Sequence, residues 1–129
     1  MANQFVVQLK NEPGAMATLA EALAARGVDL RAIGGGGIGD AGHVIMTTAD
    51  DDTTKAVLDD GGYTYIEGES ILTEVDDRPG GMALLSRQLA DAGVNIYGHL
   101  FLGRWGDRAM FAFVVDDPDR ARPILERKR

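Results

Sequence analysis

An α+β fold built from the same unit twice is what this sequence predicts, on three observations. The first is a repeat. Asn11 to Leu30, NEPGAMATLAEALAARGVDL, returns further along the chain as Asp77 to Ile96, DRPGGMALLSRQLADAGVNI. Pro13/Pro79, Gly14/Gly80, Met16/Met82, Ala17/Ala83, Leu19/Leu85, Leu23/Leu89, Ala24/Ala90, Gly27/Gly93 and Val28/Val94 coincide without a gap. Self-similarity at a fixed offset marks a duplicated structural unit. The second observation is the hydrophobic spacing, which switches within each copy between strand-like runs and helical stripes. The third is element order: β-α-β-β-α-β in the first copy and β-α-β-β-α in the second.

Gln4 to Lys10 carries Phe5, Val6, Val7 and Leu9 and ends in polar residues, which makes it a strand. Asn11-Glu12-Pro13-Gly14 stops it, and an Asn at such a position is expected to accept hydrogen bonds from the first free N–H groups of the helix that follows. From Gly14 to Ala25, Met16, Leu19, Ala20, Leu23 and Ala24 fall at i, i+3, i+4, i+7 and i+8, one face of an amphipathic helix. Gly27 lies just past its end, where a left-handed residue ends many helices.

Val28 to Ile33 is the second strand and His43 to Thr48 the third, with Gly34 to Gly42 expected as a flexible glycine-rich hairpin between them. Asp50-Asp51-Asp52-Thr53 supplies the cap and first-turn acids of a short helix carrying Ala56, Val57 and Leu58, which Gly61-Gly62 ends. Tyr63 to Glu67 is the fourth strand.

Gly68 marks the join, giving units 1–67 and 68–129. In the second unit Ser70 to Asp76 is a strand, and the next helix carries Met82, Leu85, Leu89 and Ala90 on one face. Val94 to Arg104 and Arg108 to Val115 are strands joined at Trp105-Gly106-Asp107. Asp117 caps the last helix with Pro118 at its first position, which proline tolerates. Pro123 inside that helix should kink or shorten it. This order is that of a ferredoxin-like split βαβ unit, with an antiparallel sheet and both helices on one face. There the fourth strand lies on an edge beside the first. Its absence from the second unit is expected to leave the strand around Ile71 to Val75 with unpaired backbone groups, which another segment or a second chain should cover.

Composition narrows function. A formal charge of −7 argues against a nucleic-acid footprint, which needs clustered positive charge. Arg127-Lys128-Arg129 is the exception, and it is read as a solvated end. With no cysteine, disulfides, thiolate metal sites and thiol nucleophiles are excluded. No apolar run approaches the roughly 20 residues of a membrane-spanning helix, and the N-terminus lacks the pattern of a signal peptide. A cytoplasmic location is expected.

The combination of βαββαβ order, N/D-x-P-G-x-M at the first turn and G-V-D/N-L/I entering the second strand resembles the ACT domain in two tandem copies. ACT domains are small regulatory modules that usually bind amino acids. The resemblance implies a ligand site where two units meet, the strand-one to helix-one turn of one facing strand two of its neighbour. By motif position it nominates Asn11, Glu12, Gly14 and Ala15 in the first copy and Asp77, Arg78, Gly80 and Gly81 in the second. Asp29 and Asn95, which follow Gly-Val, complete the set.

These residue types suit a zwitterion on their own chemistry. N–H groups at a helix start bind a carboxylate, and glycine lets a ligand approach them. Asn offers both donor and acceptor, Asp only acceptors. The same residues also simply build turns and cap helices. Because Asn11 faces Asp77, Asp29 faces Asn95 and Glu12 faces Arg78 across the repeat, the sequence leaves open whether both sites bind or one.

Other motifs carry less. Gly34 to Gly39 matches G-x-G-x-x-G, but strand-like HVIMTT follows it instead of the helix a dinucleotide site requires. His43 and His99 lack the spacing and partners of metal ligands, and His99 falls on the strand that borders the expected site. The acids before each second helix are explained by capping. No nucleophile–base pair or cofactor fingerprint is present in context. The expectation is therefore a non-catalytic amino-acid sensor without a cofactor, homodimeric or paired within the chain. The alternative is a regulatory subunit that docks onto a catalytic enzyme of amino acid metabolism.

Overall fold

The computed structural model describes residues 3–126. The basic tail at 127–129 lies outside the described residues. The chain divides into two compact units at Gly68/Glu69, each with its own sheet and core. The α+β, ferredoxin-like architecture predicted from the repeat is the one observed.

In the first unit, β1 (Asn3–Lys10), α1 (Ala15–Ala25), β2 (Leu30–Ile38), β3 (Ala41–Thr48), α2 (Asp51–Asp60) and β4 (Tyr65–Glu69) follow one another. The strand order is β2-β3-β1-β4, so β4 occupies the edge beside β1. β1 and β2 both run antiparallel to β3, with Val7 opposite Val44 and Ile33 opposite Met46. Alternation along the strands sends Phe5, Val7, Val44 and Met46 to one face. Leu19 and Leu23 of α1 and Val57 and Leu58 of α2 meet them there, so both helices share one core on one side of the sheet. Fully burying one such side chain contributes about 1.5–3 kcal/mol.

The second unit repeats the plan with β5 (Ile71–Asp76), α3 (Gly81–Asp91), β6 (Ile96–Trp105), β7 (Arg108–Val115) and α4 (Pro118–Leu125). Among the described residues its sheet has three strands in the order β5-β7-β6, with β5 on an edge, as expected for a unit without a fourth strand. Ile71, Val75, Phe113 and Val115 form the strand side of the core, against Leu85, Leu89, Ala121 and Leu125 of the helices. Both units carry a register irregularity at the same repeat position, Leu30/Ala32 in β2 and Ile96/Gly98 in β6.

Two local expectations are corrected. The glycine run is not a hairpin: Gly34 to Gly37 pair in β2 with Ile45 to Gly42 of β3, and the turn is only Gly39-Asp40. The ladder to β3 supplies the backbone hydrogen bonds that hold residues of poor intrinsic strand preference extended. Nor does Asn11 or Asp77 cap a helix. Gly14 and Gly80 occupy the caps at φ 89° and 88°, and no side chain caps either helix. α2 and α4 are capped as expected, by Asp50 and Asp117, each accepting from the backbone N–H three residues on. α4 runs through Pro123 to Leu125, at eight residues two shorter than α2.

Candidate functional site

The two Pro-Gly corners have the same backbone. Glu12 and Arg78 N–H donate to the carbonyls of Lys10 and Asp76, at 3.0 and 2.9 Å. Thr18 and Leu84 N–H donate to Gly14 and Gly80, at 2.9 Å each. The left-handed glycine turns the chain so sharply that the residue before the corner points away from the helix, toward the strand-two to strand-three turn. Asn11 accordingly donates from Nδ2 to the Gly39 carbonyl at 2.9 Å, and its backbone N–H to Asp40 at 3.1 Å. Asp77 makes the matching backbone bond to Asp107 at 2.8 Å, and its carboxylate accepts from Arg104 Nε at 2.7 Å. One corner is latched by an amide, the other by an ion pair.

Beside the first corner, on the helix-bearing face of the sheet, is an open cleft of about 360 Å³. Leu9, Met16, Ile33 and Val44 form its apolar walls, and Gly34, Gly35 and Gly36 its floor. Lys10, Asn11, Glu12 and Ala15 form the corner side. Gly35 has no alternative residue here, because a Cβ would run into the His43 carbonyl. Ile33 stays about half exposed (49%), an uncovered apolar wall. Lys10 and Glu12 enter no ion pair among the described residues. A second, larger depression of about 710 Å³ lies across the corner, lined by Gln8, Lys10, Thr18, Asp40 and Tyr63.

The second unit fills the equivalent place. Phe101 stands where the first unit has Gly35, and its strand partner is Phe111 where Gly35 has Val44. The two rings meet edge-on at 5.5 Å, Phe111 continues to Phe113 at 6.2 Å, and the Arg104 guanidinium lies 4.7 Å from the Phe101 centroid. The corner charges are also consumed. Asp76 pairs with Arg78 at 3.3 Å and with Arg108.

Of the ten residues nominated from sequence, Asn11, Glu12 and Ala15 line the cleft of the first unit, and Gly14 forms the corner behind them. Asp77, Arg78, Gly80 and Gly81 form the second corner. Gly81 packs so closely on β5 that a Cβ would meet the Asp76 carbonyl. Asp29 and Asn95 sit at the opposite end of the helix from the corner of their own unit, about 16 Å away along eleven residues. There Asp29 pairs with Arg31 at 3.4 Å, and Asn95 N–H donates to Asp116 at 2.9 Å. His99 is exposed and lies near Phe113, with ring centroids 6.2 Å apart. Trp105 ends β6 at 61% exposure. Sequence reasoning missed Met16, Ile33, Val44 and the glycine floor. The available signal was IGGGG in one copy against HLFLG in the other.

The perturbed ionisations lie around the helix ends. A hydrogen bond to Asp59, then partial burial, pushes the Tyr65 phenol up to about 12. Bonds from Thr53 hold the Asp50 carboxyl below its usual value, and Glu67 raises the Lys55 ammonium. No cluster of three or more His, Asp or Glu among the described residues could hold a metal ion. No helix among them is long and apolar enough to cross a membrane.

No family model and no curated protein matches the chain in sequence. Solved structures do match in shape. A protein from Bacteroides thetaiotaomicron superposes with TM-score 0.71 at 21% identity, over 97% of this chain and 86% of that one. The regulatory subunit of aspartate kinase from Thermus flavus gives 0.67 at 16%, over 98% and 92%. That from Thermus thermophilus, in its ligand-free form, gives 0.61 at 19%, over 97% and 87%. The chain therefore has the ACT-type fold, in two copies.

Proposed function

We propose that the chain is a cytoplasmic, non-catalytic regulatory module that binds an amino acid at its Pro-Gly corner. The observation that carries the reading is the cleft of the first unit, where an apolar wall, a glycine floor and two opposite charges without ion-pair partners among the described residues converge. Its volume of about 360 Å³ is at the lower end of small-molecule sites, of the order of 300–1,000 Å³. The uncapped start of α1 and Lys10 suit a carboxylate, and Glu12 and the Asn11 carbonyl oxygen suit an ammonium. The shape match to regulatory subunits of aspartate kinase supports a regulatory role. A site open to solvent covers less of its ligand than the 70–90% usual for such sites. Closure by a second chain, in a homodimer, supplies the cover. A ligand of about ten heavy atoms should bind in the micromolar to millimolar range.

The test is a thermal-shift screen of the proteinogenic amino acids at about 10 mM. Ligand at about 100 times its dissociation constant adds about 2.7 kcal/mol to stability. A rise in melting temperature with at least one amino acid supports the reading. No rise with any removes it.

A second reading is favoured by the three-stranded sheet that ends on β5, with Leu72 on that strand 41% exposed. An edge of this kind accepts a strand from a partner enzyme. Co-purification of one stoichiometric enzyme of amino acid metabolism supports it, and a lone chain on native purification counts against it.

A further inference from the structure

We infer that the chain carries one ligand site instead of two, and that this site, in the first unit, selects an amino acid with an uncharged apolar side chain. The inference rests on the binding role proposed above and deepens it. The duplicated corner gives two places where such a ligand could seat, and their backbones match bond for bond. What differs is the space beside them. In the first unit Gly35 faces the cleft opposite Val44 on the neighbouring strand, and no side chain can occupy that point, because it would strike the His43 carbonyl. In the second unit the same point holds Phe101 in edge contact with Phe111.

The charges tell the same story. The zwitterion needs a cation and an anion left over from the fold. At the first corner these are Lys10 and Glu12, neither held in an ion pair among the described residues. At the second corner the signs are reversed, Asp76 for Lys10 and Arg78 for Glu12, and the two neutralise each other. Arg104 and Arg108 are likewise engaged, with Asp77 and Asp76. Among the described residues this leaves no unpaired cation at the second corner to hold a ligand's carboxylate.

Selectivity follows from the walls. Past Lys10 and Glu12, a ligand side chain meets Met16, Ile33 and Val44 and bare glycine backbone. A charged side chain would lose hydration there without gaining a partner, whereas an aliphatic or thioether chain would cover exposed Ile33 and Met16.

Isothermal titration of the intact chain with L-leucine, L-methionine and L-phenylalanine, and separately with L-aspartate and L-lysine, tests this. At least one apolar amino acid should bind at one equivalent per chain, about tenfold or more tighter than either charged one. Ile33→Asp should weaken that binding about tenfold or more, while His99→Asp, at the matching position of the second unit, should leave it unchanged. Ile33 is half exposed, so its variant should fold, and far-ultraviolet circular dichroism checks this. Preference for aspartate or lysine, two equivalents per chain, or equal loss in His99→Asp would overturn the inference and leave amino-acid binding standing. Absence of binding by all five and by the remaining amino acids would overturn both.

Discussion

Asn11 reaches across 28 residues of sequence to hold Gly39, its amide 2.9 Å from the carbonyl at the tip of the β2–β3 turn. The second unit makes the same closure with different chemistry, Asp77 accepting from Arg104. The carboxylate at that place works because Arg104 stands, by strand register, where the first unit has Gly37. Asn11→Asp should therefore destabilise the first unit by about 0.5–1.5 kcal/mol, the worth of one such bond. Urea unfolding of the variant beside the parent chain measures the effect.

Gly37 and Asn11 should be energetically coupled. A Cβ on Gly37 would lie 2.5 Å from Asn11 Cγ, too close to coexist, so Gly37→Ala must push the amide off Gly39. The cost of Gly37→Ala should be clearly smaller in an Asn11→Ala background. A double-mutant cycle by chemical denaturation reads the coupling, and strict additivity would contradict it.

The corner glycines are needed for their backbone. At φ 89° and 88°, Gly14→Ala and Gly80→Ala each place a Cβ against the following carbonyl, costing about 1–2 kcal/mol. Open space surrounds both positions, so strain alone should set the loss, and the two variants should lose similar amounts. Thermal unfolding of each checks this.

Asp50 links stability to acid. The Thr53 hydroxyl and N–H bond its carboxylate, lowering its pKa in the folded chain below the ordinary 3.8. A group with a depressed folded pKa adds stability above its unfolded pKa, and that contribution is lost as pH falls through the folded value. Asp50→Asn keeps a cap acceptor but cannot titrate. Its stability should fall less steeply below about pH 4 than that of the parent chain, as measured by urea midpoints across the acid range.

What the sequence disclosed and what it hid divide along physical lines. The corners, the helix stripes and the absent fourth strand were legible because each depends on residues close in sequence. The caps at Asp50 and Asp117 were legible for the same reason. Asn11 was misread as a cap because its real partner is 28 residues away. The glycine run was misread as a hairpin because glycine has little strand preference of its own. Its conformation is set by pairing with β3, and it leaves open the space above Gly35. Only the comparison with Phe101 across the repeat makes that space visible.

Methyl-detected NMR of the chain labelled at methionine and isoleucine, titrated in turn with L-leucine, L-methionine and L-phenylalanine, tests the central claim most directly. Saturable shifts are predicted at Met16 and Ile33, with Met82 in the second unit unmoved. No shift at Met16 and Ile33 with any of the three, or equal shifts at Met82, would contradict it.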